Sequence, residues 1–235
     1  STILAALFLF FSIDSKWQRT YKIVNTYSPM ILSVILSLLI TVVVAILYKI
    51  SNLWILVSLY TGFLIIIRYI FVIFNFFFRS KYSNPYSITA HIGLGLLIVS
   101  IALNSEFSSE RAINIKLKGN DTYMGHEINF DNLELIKKSN HDSVRASFIV
   151  NDPKGKRFIL SPEKRKYFTR GQITTETAIH ATPLKDIYIT LGDQLDDGSW
   201  IVNIQFNYFI RWVWFSAILM ALAGSLLAFS LRRAN

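Results

Sequence analysis

The stretch Tyr86-Ser87-Ile88-Thr89-Ala90-His91-Ile92-Gly93-Leu94-Gly95-Leu96-Leu97-Ile98-Val99-Ser100-Ile101-Ala102-Leu103 contains no Asp, Glu, Lys or Arg. A bilayer crossing needs roughly 20 apolar residues in a helix. A segment exposed to lipid must be helical, because hydrocarbon offers the backbone no hydrogen-bond partners. Three other runs read the same way: Met30 to Tyr48, Leu53 to Phe78 and Phe209 to Leu231. A shorter run at residues 3–13 covers about half a span. It has neither a basic leading region nor a small-residue cleavage site, so it reads as a trimmed transmembrane helix rather than a signal peptide. The chain is therefore a multi-pass α-helical membrane protein.

Composition agrees. A hydrophobic content of 52% and a mean hydropathy of +0.41 exclude an ordinary soluble domain. The absence of cysteine excludes disulfides, thiolate metal sites and a cysteine nucleophile. The net charge of +9 suggests a polyanion partner until it is located. Residues 104–205 hold 14 Lys/Arg and 14 Asp/Glu, so the excess flanks the apolar runs and sets topology. With five spans, Lys16, Arg19, Lys22, Arg79, Lys81, Arg232 and Arg233 share one side, against Lys49 on the other. The positive side is cytoplasmic or matrix, which places residues 104–205 across the membrane.

That region changes character. Short alternating segments (Ala112 to Lys118, Ile128 to Ile136, Val144 to Val150, Phe158 to Leu160, Ile187 to Leu191, Trp200 to Phe206) are separated by turns such as Asp152-Pro153-Lys154-Gly155 and Asp196-Asp197-Gly198. Residues 104–205 read as an inserted extracytoplasmic antiparallel β domain, a small sandwich or barrel. Spans at 30–48, 53–78 and 86–103 precede it, and a C-terminal span at 209–231 follows.

Few residues in the spans could carry chemistry. His91 lies six residues into its run, about 9 Å from the end. An imidazole in hydrocarbon needs a partner. Two readings stand: an axial ligand of haem iron, opposed by a histidine that this chain does not supply, or a hydrogen bond to a neighbouring helix. Gly93 and Gly95 thin the helix where something flat could lie alongside. Arg68, near the middle of its run, could pair with a haem propionate or donate to backbone carbonyls. Arg211 reads as a snorkelling residue at the interface.

In the β domain, His126, His141 and His180 match no metal spacing and read as surface or ordinary domain histidines. Asp193, Asp196 and Asp197 read as a polar turn. Ser161-Pro162-Glu163-Lys164-Arg165-Lys166-Tyr167 reads as a solvated mixed-charge turn. No phosphate loop, nucleophile–histidine–carboxylate set or catalytic carboxylate pair is present in the sequence.

Several stretches taken in order resemble the C-terminal portion of the CcmF family, the haem lyase subunit of cytochrome c maturation. They are Ala90-His91-Ile92-Gly93, Pro162-Glu163-Lys164-Arg165-Lys166-Tyr167, Thr175-Glu176-Thr177-Ala178-Ile179, Asp186-Ile187-Tyr188-Ile189-Thr190-Leu191-Gly192-Asp193, Trp200-Ile201-Val202, Arg211-Trp212-Val213-Trp214 and Met220-Ala221-Leu222-Ala223-Gly224. The resemblance implies a subunit or fragment that assists covalent haem attachment to the CxxCH cysteines of apocytochrome c. It implies a resident haem b with His91 as one axial ligand. The implied partners are the WWD-containing N-terminal part of the lyase, the haem chaperone CcmE, a CcmH-type protein and apocytochrome c. The implied location is the bacterial or mitochondrial inner membrane, with the β domain in the periplasm or intermembrane space. The tryptophan-rich WWD segment of that family is not among these residues, so the match is to the C-terminal portion, either a split subunit or a piece of a longer chain. The other reading is a non-catalytic membrane scaffold whose β domain recruits assembly partners.

Overall fold

The computed structural model describes residues 27–79, 84–169 and 171–234. The run at residues 3–13 and the basic residues Lys16, Arg19, Lys22 and Lys81 lie outside them. The chain divides into a helical unit and a β unit, Ser108–Tyr208.

Among the described residues, the helical unit contains four helices: α1 (Tyr27–Tyr48), α2 (Leu53–Arg79), α3 (Pro85–Phe107) and α4 (Ile210–Ala234). All four are long and apolar enough to cross a membrane. Polar residues mark their starts. Asn52 Oδ1 accepts from the Trp54 N–H at 3.0 Å, and Asn84 Oδ1 accepts from the Tyr86 N–H at 3.0 Å. Each thereby satisfies an orphan donor of the first turn, and Pro85 occupies the position where no N–H is needed. Helix α1 ends at Lys49, whose φ of 57° turns the chain out of the helix.

Each helix packs against the next, so α3 lies between α2 and α4. Glycine sets both crossings. A Cβ on Gly62 would lie 2.6 Å from Val99 Cγ2, and one on Gly95 would lie 2.9 Å from the Gly62 carbonyl oxygen. On the other side, a Cβ on Gly93 would lie 2.8 Å from Met220 Cγ and 3.3 Å from the Ser216 carbonyl oxygen. This corrects the expectation that the two glycines leave room for a flat group. Neighbouring helices fill that space, in the small-residue packing that lets membrane helices approach. Helix α3 also runs past Leu103 to Phe107, whose ring meets Tyr48 edge-on at 5.4 Å. That contact and the apolar cluster around Leu59 and Val99 hold the last turn, so the helix outlasts its apolar run.

The β unit contains β1 (Ser109–Ile115), β2 (Asn120–Tyr123), β3 (His126–Lys137), β4 (His141–Asn151), β5 (Arg157–Leu160), β6 (Glu163–Tyr167), β7 (Ile173–Glu176), β8 (Ala178–Ala181), β9 (Lys185–Gln194) and β10 (Trp200–Tyr208). One sheet has the order β1-β10-β9-β8; the other runs β2-β3-β4-β6-β7, with β5 also paired to β4. All pairings are antiparallel. Alternation produces the core: Trp200, Val202, Ile204 and Phe206 of β10 are buried and pack with Ile187, Ile189 and Leu191 of β9. Phe130, Phe148 and Val150 from the second sheet complete it. Glu163-Lys164-Arg165-Lys166-Tyr167 is strand β6, not a turn. Its charges hide the strand because they are satisfied across the sheet.

Candidate functional site

His91 sits on the α2-facing side of α3, four residues before Gly95. Its ring is half-buried and stacks on Tyr69 of α2, with centroids 4.6 Å apart and planes 18° apart. His91 Nδ1 lies 2.7 Å from the carbonyl oxygen of Ser87, one turn earlier, and 3.4 Å from Ser87 Oγ. A carbonyl can only accept, so Nδ1 carries the proton. In the neutral ring the lone pair is then on Nε2. Among the described residues, Nε2 has no hydrogen-bond partner. Tyr69 is buried, packed with Ile65 and Ile88.

Two residues, Ser87 and Tyr69, thus act on one imidazole, and only His91 stood out in the sequence. Ser87 was legible by helical spacing, four residues before the histidine. Tyr69 was not, since nothing local marks a tyrosine as the partner of a residue on the next helix. Arg68 is buried and directly precedes Tyr69, so it projects about 100° around α2 from the stacking ring.

This arrangement suits iron ligation. Metal-bound histidines characteristically donate their other N–H to a carbonyl or carboxylate, which fixes tautomer and ring direction. Among the described residues no group of three or more His, Asp or Glu side chains could hold a bare metal ion.

Two of the β-unit histidines are interior residues of the domain. His126 is 2% exposed and His141 6% exposed. His126 Nδ1 donates to the Met124 carbonyl at 2.9 Å, while Nε2 accepts from Lys185 Nζ at 2.9 Å. Burial and the neighbouring Lys185 charge hold its pKa below the ordinary histidine value, against the Met124 bond, which raises it. Burial likewise lowers Lys185. His141 Nδ1 bonds Asn140 Oδ1 at 2.7 Å, and its ring tilts against Tyr167. His180 stacks on Phe158, centroids 3.7 Å apart, and burial lowers its pKa.

Glu163 is the charged centre of the second sheet. It is 4% exposed, and Arg145 and Arg165 clasp its carboxylate at 3.0 and 2.9 Å. The Arg165 hydrogen bond, with help from Arg145, holds its pKa down at about 2 against the opposing effect of burial. Arg165 reaches on to Glu176 of β7 at 3.2 Å. These contacts tie β4, β6 and β7 together. Asp193 lies in strand β9 rather than in a turn and pairs with Lys164, whereas Asp197 lies in the turn before β10 and accepts from the Ser199 N–H at 3.0 Å.

Residues 106–207 match the family model described as the CcmF C-terminal beta-sandwich. The cytochrome c-type biogenesis protein CcmF of Escherichia coli is 33% identical over 157 residues, 66% of this chain and 24% of that protein. The CcmF protein of Pseudomonas aeruginosa is 32% identical over 145 residues, 61% of this chain and 22% of that protein. The chain thus spans about a quarter of the length of these relatives. A solved structure titled cytochrome c heme lyase CcmF shares the fold with a TM-score of 0.66 at 12% identity, covering 86% of this chain and 34% of that one.

Proposed function

Because this chain carries the CcmF C-terminal β-sandwich and corresponds to the C-terminal portion of CcmF proteins, we propose that it works within a cytochrome c haem lyase and holds a resident haem b in the membrane. The observation that carries this reading is the tautomer of His91. Its Nδ1–H is committed to the Ser87 carbonyl at 2.7 Å, which leaves Nε2 as the nitrogen able to ligate iron.

His91 is the proposed axial ligand. Arg68 is the proposed partner of a haem propionate, since a guanidinium matches a carboxylate in bidentate fashion. Bound haem supplies one-electron transfer. The chain's own contribution is to hold the histidine neutral, directed and packed. Helix α3 delivers His91 near one end. The Phe107 end, where the chain continues into the β unit, lies 16 residues or about 24 Å further along. That depth suits a resident haem that keeps other haem iron reduced, rather than the haem being attached.

Thioether formation on apocytochrome c CxxCH motifs is proposed for the assembled lyase, not for this chain alone. The second axial ligand and the substrate-haem site belong to the WWD-containing part. The β unit is the proposed platform for CcmE, a CcmH-type protein and apocytochrome c. It lies in the periplasm or intermembrane space, beside a bacterial or mitochondrial inner membrane.

The test is the reduced-minus-oxidised spectrum of the complex purified from membranes, with cytochrome c maturation assayed in the same cells. His91→Ala is expected to remove the low-spin b-type bands and to stop maturation. Intact bands with intact maturation would overturn the assignment and leave the scaffold reading.

A further inference from the structure

We propose that Tyr69 is a positioning residue that fixes the plane of the His91 imidazole, and with it the angle between the two axial ligand planes of the haem. The inference rests on the reading of His91 as an axial ligand and adds to it a device on the neighbouring helix.

A histidine side chain has two soft torsions. Its Nδ1 bond to the Ser87 carbonyl restrains the ring along one direction only: the ring can still swing about the line joining Nδ1 to that oxygen. The flat face of Tyr69 removes that freedom. With 18° between planes and 4.6 Å between centroids, the phenol ring lies against one imidazole face and blocks rotation toward α2. Tyr69 is itself held. It is 5% exposed and lies in the cluster with Ile65 and Ile88.

The backbone beneath is equally fixed. Gly95, one turn after His91, meets the Gly62 carbonyl of α2, and Gly93 meets α4 at Ser216 and Met220. Rotating α3 to re-aim the imidazole would drive those contacts apart. Helix crossing, hydrogen bond and stack therefore specify a single ring orientation, as a preorganised ligand shell should.

Iron bound at Nε2 lies in the imidazole plane, so a plane fixed by Tyr69 is transmitted to the iron orbitals. The relative angle of two axial imidazoles sets the largest g-value of a low-spin ferric haem, and a distribution of angles broadens that signal. The test is the low-temperature EPR spectrum of the oxidised complex purified from membranes, with haem content measured by pyridine haemochrome. Tyr69→Phe keeps the flat face and is expected to keep the native g-maximum and linewidth. Tyr69→Met keeps volume but not flatness, and is expected to retain haem while shifting and broadening the signal. Should the methionine variant not accumulate, Tyr69→Leu is read in the same way. Retained haem with an unchanged g-maximum and linewidth in the non-aromatic variant overturns the proposal. His91→Ala, run alongside, separates the two readings. If it leaves the haem signal intact, the ligand assignment itself fails. If it strips the haem while Tyr69→Met changes nothing, only the role of Tyr69 fails.

Discussion

The helical unit and the β unit both bury polar side chains, but they satisfy them in different ways. In the helices the partner is a carbonyl one turn back: Ser33 donates to Pro29, Thr41 to Ser37, Ser100 to Leu96 and His91 to Ser87. In the β unit, local partners are joined by others from distant strands. Glu163 is clasped by Arg145, 18 residues away in sequence, and His126 Nε2 accepts a hydrogen bond from Lys185, 59 residues away. The consequence shows in the histidines. A helix carbonyl satisfies one imidazole nitrogen of His91 and leaves the other, whereas the local Met124 carbonyl and the distant Lys185 together engage both nitrogens of His126. His126 is a brace within the fold, and His91 keeps a nitrogen for a ligand.

Substitutions can break this contrast from either side. The largest effect is expected at the helix crossing. Any Cβ on Gly95 meets the Gly62 backbone, so Gly95→Leu should cost about 3 kcal/mol and separate α2 from α3. Detergent unfolding followed by helical circular dichroism would measure it. Next is Glu163→Ala in the β unit, which leaves Arg145 and Arg165 facing each other. It should cost about 2–3 kcal/mol, less than loss of a fully buried pair because both arginines are partly exposed. The shift in urea midpoint of the β unit, reported by the buried Trp200, tests this.

A smaller effect is expected from pH. The folded pKa values of His126 and His180 lie below the unfolded histidine value of about 6.5. The unfolded chain binds those protons first on acidification. The stability that the neutral rings provide is complete above pH ~6.5 and is lost as pH falls from there toward the folded pKa values. His126→Gln should flatten that acid limb, and an unchanged slope would remove His126 from its origin. The smallest effect belongs to the exposed Arg111–Asp121 pair at 3.9 Å, where Arg111→Ala should move stability by under about 0.5 kcal/mol.

The same contrast explains what could be read from the chain. The spans were legible because their length and lack of charge are imposed by the bilayer. β10 was legible because Trp200, Val202, Ile204 and Phe206 alternate with outward residues. β6 was not: Glu163-Lys164-Arg165-Lys166-Tyr167 has the composition of a solvated turn, and only pairing with β4 and β7 makes it a strand. Which of the β-unit histidines are buried was hidden for the same reason, since burial of His126 and His141 depends on strands remote in sequence. At the candidate site, His91 was visible as a lone imidazole among apolar residues, while Tyr69 was hidden among other aromatics of α2. The glycines were visible but assigned to the wrong neighbour, because sequence shows that a helix is thin without showing what fills the space.

The most direct measurement pairs the two histidines in one experiment: haem b content and β-unit thermal stability of the purified complex carrying His91→Ala or His126→Ala. The expected result is loss of low-spin haem b with an unchanged β-unit transition for His91→Ala, and retained haem with a lowered transition for His126→Ala. Full haem b in the His91→Ala complex would contradict the division of roles between the two histidines and remove the basis for a haem site on α3.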